Sequence, residues 1–437
     1  KAVGGNVEII APGSAGDTHT IVMDGVTLGT YTTITGDAIA DVASALRLAI
    51  NNATGTHGYS AAGSAGDIAL TAPAGLGDTI NGGSHLVYTS SGAGAATVTQ
   101  FSNGVTSVLK PIHYHIDEFF RINPDGELWV YLAEDPSPSW SNFAEVETLK
   151  DASSGKIRQY LLFASKEVDL DANAVQEAQS IAAKIESQYS PGIIILAADI
   201  STIVDLTTLP DLRALACPKV SCIIGQGGTN STGAAIANIV GYSVTMGGAL
   251  LGAVSKAKVH ENIGWIEKFD IEGNELVVPA IANGTLITAI SVGAITSLYN
   301  KGYIFGIKEA GISGTFFIDS NTSVAATSDY AFIENNRTID KAIRLIRASL
   351  VTKLKAPMYV DSNTGTLEVG VIKYYEELGN IAITQMIREG ELSGGQTLID
   401  AKQNILSTSN MNVTVELVPV GVNRVITVSI GFTLKLS

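Results

Sequence analysis

Val428-Ser429-Ile430-Gly431-Phe432-Thr433-Leu434-Lys435-Leu436 alternates apolar and polar residues without a break, which is the period of a half-buried β-strand. The alternation closes a stretch that begins at Gly421. Just upstream, Val413, Val415 and Leu417 alternate in the same way before turn residues at Pro419 to Asn423. The spacing predicts a β-hairpin. A lone hairpin is marginal in water and its open edges invite a neighbouring chain, so the end of the sequence points to a subunit of an assembly.

Composition agrees. The 437 residues suffice for several domains, at roughly 100 to 200 residues each. Charged residues make up 16% of the chain, against about 25% in an average soluble protein. A surface so poor in charge is expected to be buried in part, most simply between subunits. The net charge of −15 argues against a main surface that grips nucleic acid, since neutralising phosphates takes clustered Lys and Arg. Cys217 and Cys222 are the only cysteines. Their spacing fits neither a zinc knuckle nor a redox pair, so they read as core thiols of a reducing compartment. The start at Lys1 shows no signal-peptide pattern. Two charge-free runs, Val220 to Ser255 and Leu276 to Asn300, are broken by Gly, Ser, Thr and Asn and read as buried elements rather than membrane spans.

Three regions follow along the chain. Residues 1–106 are rich in Gly, Ala, Ser and Thr, with Lys1 and Arg47 as the only basic residues. Strands are expected at Val7 to Ile10, Thr18 to Met23, Thr27 to Thr33, Tyr59 to Ala62, Ile68 to Ala72, His85 to Thr89 and Ala96 to Gln100. A turn falls at Asp24-Gly25, and a helix from Asp37 to Asn51 is capped by Asp37. This is a self-contained β-rich module, read as surface-mounted.

Residues 107–328 alternate apolar strands (Tyr160 to Ala164, Ile193 to Ala197, Val220 to Ile224) with a helix at Ala172 to Gln188. Val175, Ala178, Ile181, Ala182 and Ile185 share one face of that helix. Strand, helix, strand at this spacing implies βαβ units and a parallel sheet. A further helix is expected within Ser231 to Val254, and another strand at Thr315 to Asp319.

Residues 329–437 hold an amphipathic helix, Asn336 to Leu354, ended by Pro357. Ile339, Ile343, Ile346, Leu350 and Leu354 fall within about 80° on a wheel of 3.6 residues per turn. Arg337, Lys341, Arg344 and Lys355 lie opposite, either as ordinary solvated charge or as a contact surface. The fold class is thus α/β and α+β multidomain: a β-rich N-terminal module, a central α/β domain and a C-terminal α+β domain ending in a β-hairpin.

Sites of chemistry are few. Gly225-Gln226-Gly227-Gly228-Thr229-Asn230-Ser231-Thr232-Gly233 sits between a strand and a helix, where amides could cradle an anion. It lacks the Lys of a P-loop and the dinucleotide spacing, and reads first as a tight turn. Ser231 at a helix start superficially resembles a hydrolase nucleophile, but no His or carboxylate motif accompanies it. His113 and His115, with Asp117, share a side if that segment is a strand, which would begin a metal site. No further ligand is identifiable. Asp169, Asp171 and Asn173 alternate like part of a calcium loop but lack its Gly and Glu, and read as a helix N-terminus. No catalytic, cofactor or metal site is assigned, and no enzyme is expected.

The chain resembles contractile tail sheath proteins of tailed bacteriophages and the equivalent subunits of related contractile injection systems. The resemblance rests on Asp329-Tyr330-Ala331-Phe332-Ile333-Glu334-Asn335-Asn336 leading into Arg337-x-x-Asp340-Lys341-Ala342, on the closing hairpin, and on Thr35-Gly36-Asp37-Ala38-Ile39-Ala40-Asp41-Val42-Ala43-Ser44-Ala45-Leu46 in the Gly-rich module. It implies a central domain comparable to a subtilisin-like fold without the protease triad. Subunits would stack as six-fold rings around an inner tube and contract to drive that tube through a membrane, without nucleotide or cofactor. Partners would be the chain itself, a tail tube protein, and baseplate and tail terminator proteins. Neither direct nucleic acid contact nor stable membrane insertion is implied. The location would be the virion tail, assembled in the host bacterial cytoplasm. Arg337, Lys341, Arg344 and Arg347 would face the tube. Val428, Ile430, Phe432, Leu434 and Leu436 would form the inter-subunit strand. The chain departs from the family at its start, where sheath subunits usually carry an extended arm. The alternatives are an extracellular adhesin or surface-layer subunit, and an α/β hydrolase-like enzyme.

Overall fold

The computed structural model describes residues 4–73, 76–77, 80–102, 104, 109–132, 143–163 and 170–427. The chain divides into two compact units, Lys1–Ile112 and His113–Ser437.

In the first unit, β1 (Gly5–Ala11), β2 (Thr18–Met23) and β3 (Val26–Thr32) precede α1 (Ile39–Asn52) and a single turn, α2 (Thr54–His57). There follow β4 (Ser60–Ala62), β5 (Asp67–Thr71), β6 (Leu86–Ser90) and β7 (Ala95–Thr99). They form two antiparallel sheets, ordered β4-β5-β1-β7 and β3-β2-β6. Val7, Ile21, Leu28, Leu46, Ile50 and Ile68 meet in one core, as the alternation in each strand requires. Asp24 and Gly25 both take positive φ, 48° and 79°, the two-residue turn whose twist suits a hairpin. One local expectation is corrected. Asp37 does not cap α1: the cap is Ala38, whose N–H donates to Asp41 Oδ2 at 2.9 Å. Asp37 instead accepts from Ile34 N–H and the Tyr31 hydroxyl.

The second unit begins within α3 (Leu109–Ile122). It continues through α4 (Ala144–Ala152), β8 (Gln159–Phe163), α5 (Ala172–Ser187), β9 (Ile193–Ala197), β10 (Val220–Ile223), β11 (Gly225–Gly227), α6 (Thr232–Val240), α7 (Gly247–Lys256), β12 (Pro279–Ile281), α8 (Val292–Asn300), β13 (Tyr303–Ile304), β14 (Gly306–Ile307) and β15 (Phe316–Phe317). Strands β13, β10, β9 and β8 lie in that order in a parallel sheet. Every residue of β9 is buried, because helices cover both faces. Ile194 and Leu196 pack with Val175, Ile181 and Ile185 of α5. Ile193 and Ile195 pack with Phe119 of α3 and Leu250 and Val254 of α7. The first charge-free run supplies the buried strand β10 and helix α7 of these layers, whereas the second is part exposed, with Val277, Val278 and Val292 open to solvent; no helix among the described residues is long and apolar enough to cross a membrane.

The chain then builds α9 (Ile333–Val351), α10 (Val369–Arg388), β16 (Leu392–Leu398), α11 (Ile405–Thr408) and β17 (Thr414–Pro419). Ala342, Ile346, Ile383, Met386 and Leu392 form a small core there. Helix α9 differs from the amphipathic expectation. Its buried residues include Glu334, Asn336, Thr338 and Asp340, while Ile343 is exposed, and the helix ends at Val351, short of the exposed Leu354. The reason is that its first half is embedded in polar surroundings. Asn336 Nδ2 donates to the carbonyls of Pro218 and Tyr330, and Asp340 pairs with Lys219 at 2.5 Å. The upstream half of the expected closing hairpin is a strand, but among the described residues its antiparallel partner is β16. Val428, Ile430, Phe432, Leu434 and Leu436 lie outside the described residues.

Candidate functional site

Arg337, Lys341 and Arg347 of α9 are engaged within their own subunit. Arg337 donates to the carbonyls of Ala257 and Lys258 at 2.9 and 3.1 Å, closing the end of α7 where helix carbonyls lack partners. Lys341 bridges Glu389 at 2.8 Å and Glu391 at 2.6 Å, bracing the turn into β16. Arg347 stacks 3.3 Å above the Tyr189 ring, a cation–π contact. Burial holds the guanidinium groups of Arg337 and Arg344 down, to about 10, and both stay charged at neutral pH. Reversal at Arg337 and Lys341 therefore strips internal contacts as well as surface charge. Lys341→Glu sets a carboxylate beside Glu389 and Glu391 and is expected to cost about 1–2 kcal/mol, seen as a lowered thermal midpoint by circular dichroism. An unchanged midpoint would show that the bridge holds nothing.

The sheet β16–β17 has two strands, each with one strand partner among the described residues. One side rests on α10, where a Cβ on Gly379 would sit 2.4 Å from Thr397 Oγ1. Ser393, Gln396, Leu398, Glu416 and Val418 are exposed. Two strands alone are marginal, and unpaired ladder groups template further pairing.

Beyond β17, residues 420–427 have no regular structure, and Arg424 ties them down. Its Nε donates to Asp319 Oδ2 at 2.9 Å, a terminal nitrogen donates to Glu334 Oε1 at 2.5 Å, and the guanidinium lies 3.5 Å over the Phe332 ring. Asn262 Nδ2 donates to both carboxylates, at 2.6 and 3.0 Å, and the Tyr299 hydroxyl donates to Asp319. Ser320 Oγ donates to Glu334. Burial pushes the Glu334 carboxyl up, opposed by Ser320 and Arg424. Nothing local in the sequence marks Arg424, Asp319 and Glu334 as partners; the nearest signal is the Glu334-to-Arg337 segment.

The remaining candidates resolve as structure. In the Gly-rich loop the anion at the α6 N-terminus is the chain's own: Glu275 accepts from Thr232 N–H at 2.7 Å and from its hydroxyl at 2.6 Å. Ser231 Oγ accepts from Ala234 N–H as the helix cap. A Cβ on Gly227 would meet the Glu275 carbonyl at 2.5 Å, so close packing requires glycine there. The strand placing His113 with His115 is overturned: the segment is helical. His113 is exposed and pairs with Asp117 one turn on at 2.8 Å, while His115 is buried. Asp171 caps α5, and Asp169 lies outside the described residues. His260 carries a pKa lowered by burial. Cys217 and Cys222 are buried free thiols. Among the described residues no cluster of His, Cys, Asp and Glu could hold a metal.

A family described as DUF2586, C-terminal domain, matches residues 329–437. Among curated proteins none matches the chain by sequence. Solved structures that the chain resembles include sheath and baseplate chains. One belongs to the anti-feeding prophage baseplate (15% identity, TM-score 0.47, covering 77% of this chain and 85% of that one). Another is a sheath tail protein from Desulfitobacterium hafniense (10%, 0.39, 96% and 81%). A third is from the contracted sheath complex of an extracellular contractile injection system (13%, 0.38, 71% and 98%).

Proposed function

We infer that the chain is a structural subunit of a contractile tail sheath, in a phage or a related injection system. It polymerises as stacked six-fold rings around an inner tube and contracts to drive the tube through a target envelope. The observation that carries this reading is a two-stranded sheet, β16–β17, with one strand partner per strand among the described residues, in a chain whose closing sequence alternates apolar and polar residues. Strand addition between identical chains satisfies both, and head-to-tail contacts that do not close generate a helical tube. The work of contraction comes from repacking subunits, with tube, baseplate and terminator proteins as partners. The low charge content supports extensive burial between copies. Arg337, Lys341, Arg344 and Arg347 on α9 are the proposed side towards the tube.

Negative-stain electron microscopy of the purified full chain tests this, beside a chain ending at Thr427. Hollow tubes from the first and dispersed, folded particles from the second are expected. Tubes from both would move the link away from residues 428–437, and dispersed particles from both would overturn polymerisation.

A further inference from the structure

We propose that Arg424 is the latch of the C-terminal segment: seated between Phe332 and the carboxylates of Asp319 and Glu334, it fixes where the residues beyond it leave the α/β core and hence the direction in which they reach a second copy of this chain. The second half of this proposal rests on the polymerisation reading above.

The anchor is built rather than incidental. The side chains of Asp319 and Glu334 are 5% and 2% exposed, the first just after β15 and the second in the first turn of α9. Asn262, Ser320 and Tyr299 orient them with neutral donors, so the only cation bonded to either carboxylate among the described residues is Arg424. An empty clasp would bury two carboxylates with no counter-charge, which is strongly unfavourable. Arg213 approaches the same Phe332 ring at 5.7 Å but is committed elsewhere, donating to Asn321 and to the carbonyls of Thr322, Val324 and Ala331. By contrast the segment carrying Arg424 has no other hydrogen bond among the described residues, with Val420 and Val422 half-buried. Among the described residues, 420–427 make no helix, strand or backbone hydrogen bond, and Val425 and Ile426 are 79% and 77% exposed. A single well-held side chain is thus followed at once by exposed β-branched residues and then by a closing sequence that alternates apolar and polar residues. A fork that bonds two carboxylates while stacking on a ring is a task for arginine and not for lysine.

The test places a spin label at Val425→Cys in the full chain. The native thiols are buried, so the label reports on position 425. With Arg424 present, the expected spectrum is that of a label held to its backbone. Arg424→Ala and Arg424→Lys should both narrow the lines towards fast motion and leave about tenfold fewer tubes at equal concentration. Because either variant leaves buried carboxylates unpaired, Asp319→Asn with Glu334→Gln and Arg424→Met removes the charges together. It should fold by circular dichroism and still free the label. An unchanged line shape in these variants would overturn the anchor. A freed label with undiminished tubes would overturn its role in assembly. If the parent chain forms no tubes the polymerisation reading fails, and the line shapes decide the anchor alone.

Discussion

Lys219→Met is expected to lower the unfolding free energy of the His113–Ser437 unit by about 3–5 kcal/mol, measured as a lower denaturant midpoint at unchanged slope. Lys219 Nζ sits 2.5 Å from Asp340 Oδ1, and both side chains are 4% exposed. Losing the cation leaves Asp340 buried and unpaired in the middle of α9, which costs far more than the pair itself contributes. Asp340→Leu is expected to cost less, because Glu186 lies 3.8 Å from the ammonium and is partly exposed. Replacing both by Met and Leu should recover most of the loss, so the double-mutant cycle is strongly non-additive. Burial also shields the pair from salt. The Lys219→Met deficit should therefore hold from low to high ionic strength, unlike that of the exposed Lys184–Glu147 pair. A deficit below about 1 kcal/mol, or one that fades with salt, would show that water reaches Asp340.

What the sequence discloses divides by range. Ile193–Ala197 is legible because a strand covered on both faces is apolar throughout, and the α5 face is legible because Val175, Ile181 and Ile185 recur at helical spacing. The strands of the first unit were read nearly residue for residue, since each alternates and is bounded by Gly, Asp or Ser. The failures are pairings made far along the chain. Arg424 meets Asp319 and Glu334 across 105 and 90 residues, and Glu275 fills the Gly-rich loop's anion site across 43; no local pattern encodes such partners. The buried polar side of α9 is hidden for the same reason, as Lys219 lies 121 residues from Asp340. His113, His115 and Asp117 would share a side in a strand, but three alternating residues fit either period, and the segment is helical. Pro111, in the first turn of α3, fits a helix start. Of the candidate assembly surface, β17 and the basic residues of α9 were visible in sequence, whereas their partners within the subunit were not.

Acidification from pH 6.5 towards 4 is expected to remove about 3 kcal/mol of stability through His115 alone. The imidazole is buried where α3 crosses α7. Gly248 N–H donates to its Nδ1 at 3.2 Å, the Phe163 ring centroid lies at 4.5 Å, and a Cβ on Gly248 would stand 2.2 Å from the His115 carbonyl. Burial therefore pushes His115 from its ordinary 6.5 down to about 4. The folded chain keeps it neutral through that window while the unfolded chain takes up a proton. The contribution is fully present above pH 6.5, declines as the pH falls, and is gone below about 4. His260 is lowered in the same direction by burial, and carboxylates titrate at the acid end, so the test is a difference. His115→Asn keeps an acceptor near the Nδ1 position and cannot titrate. Urea midpoints for both proteins at intervals between pH 7.5 and 4 should converge as the pH falls, the variant being the less stable at pH 7.5 because it leaves a cavity. Parallel curves would mean that water or a rearranged α3–α7 contact already solvates the ring. Gly248→Ala, which forces the two helices apart at that contact, should then show no further change in acid sensitivity; if His115 is buried as described, it should instead lose the acid-dependent step along with stability.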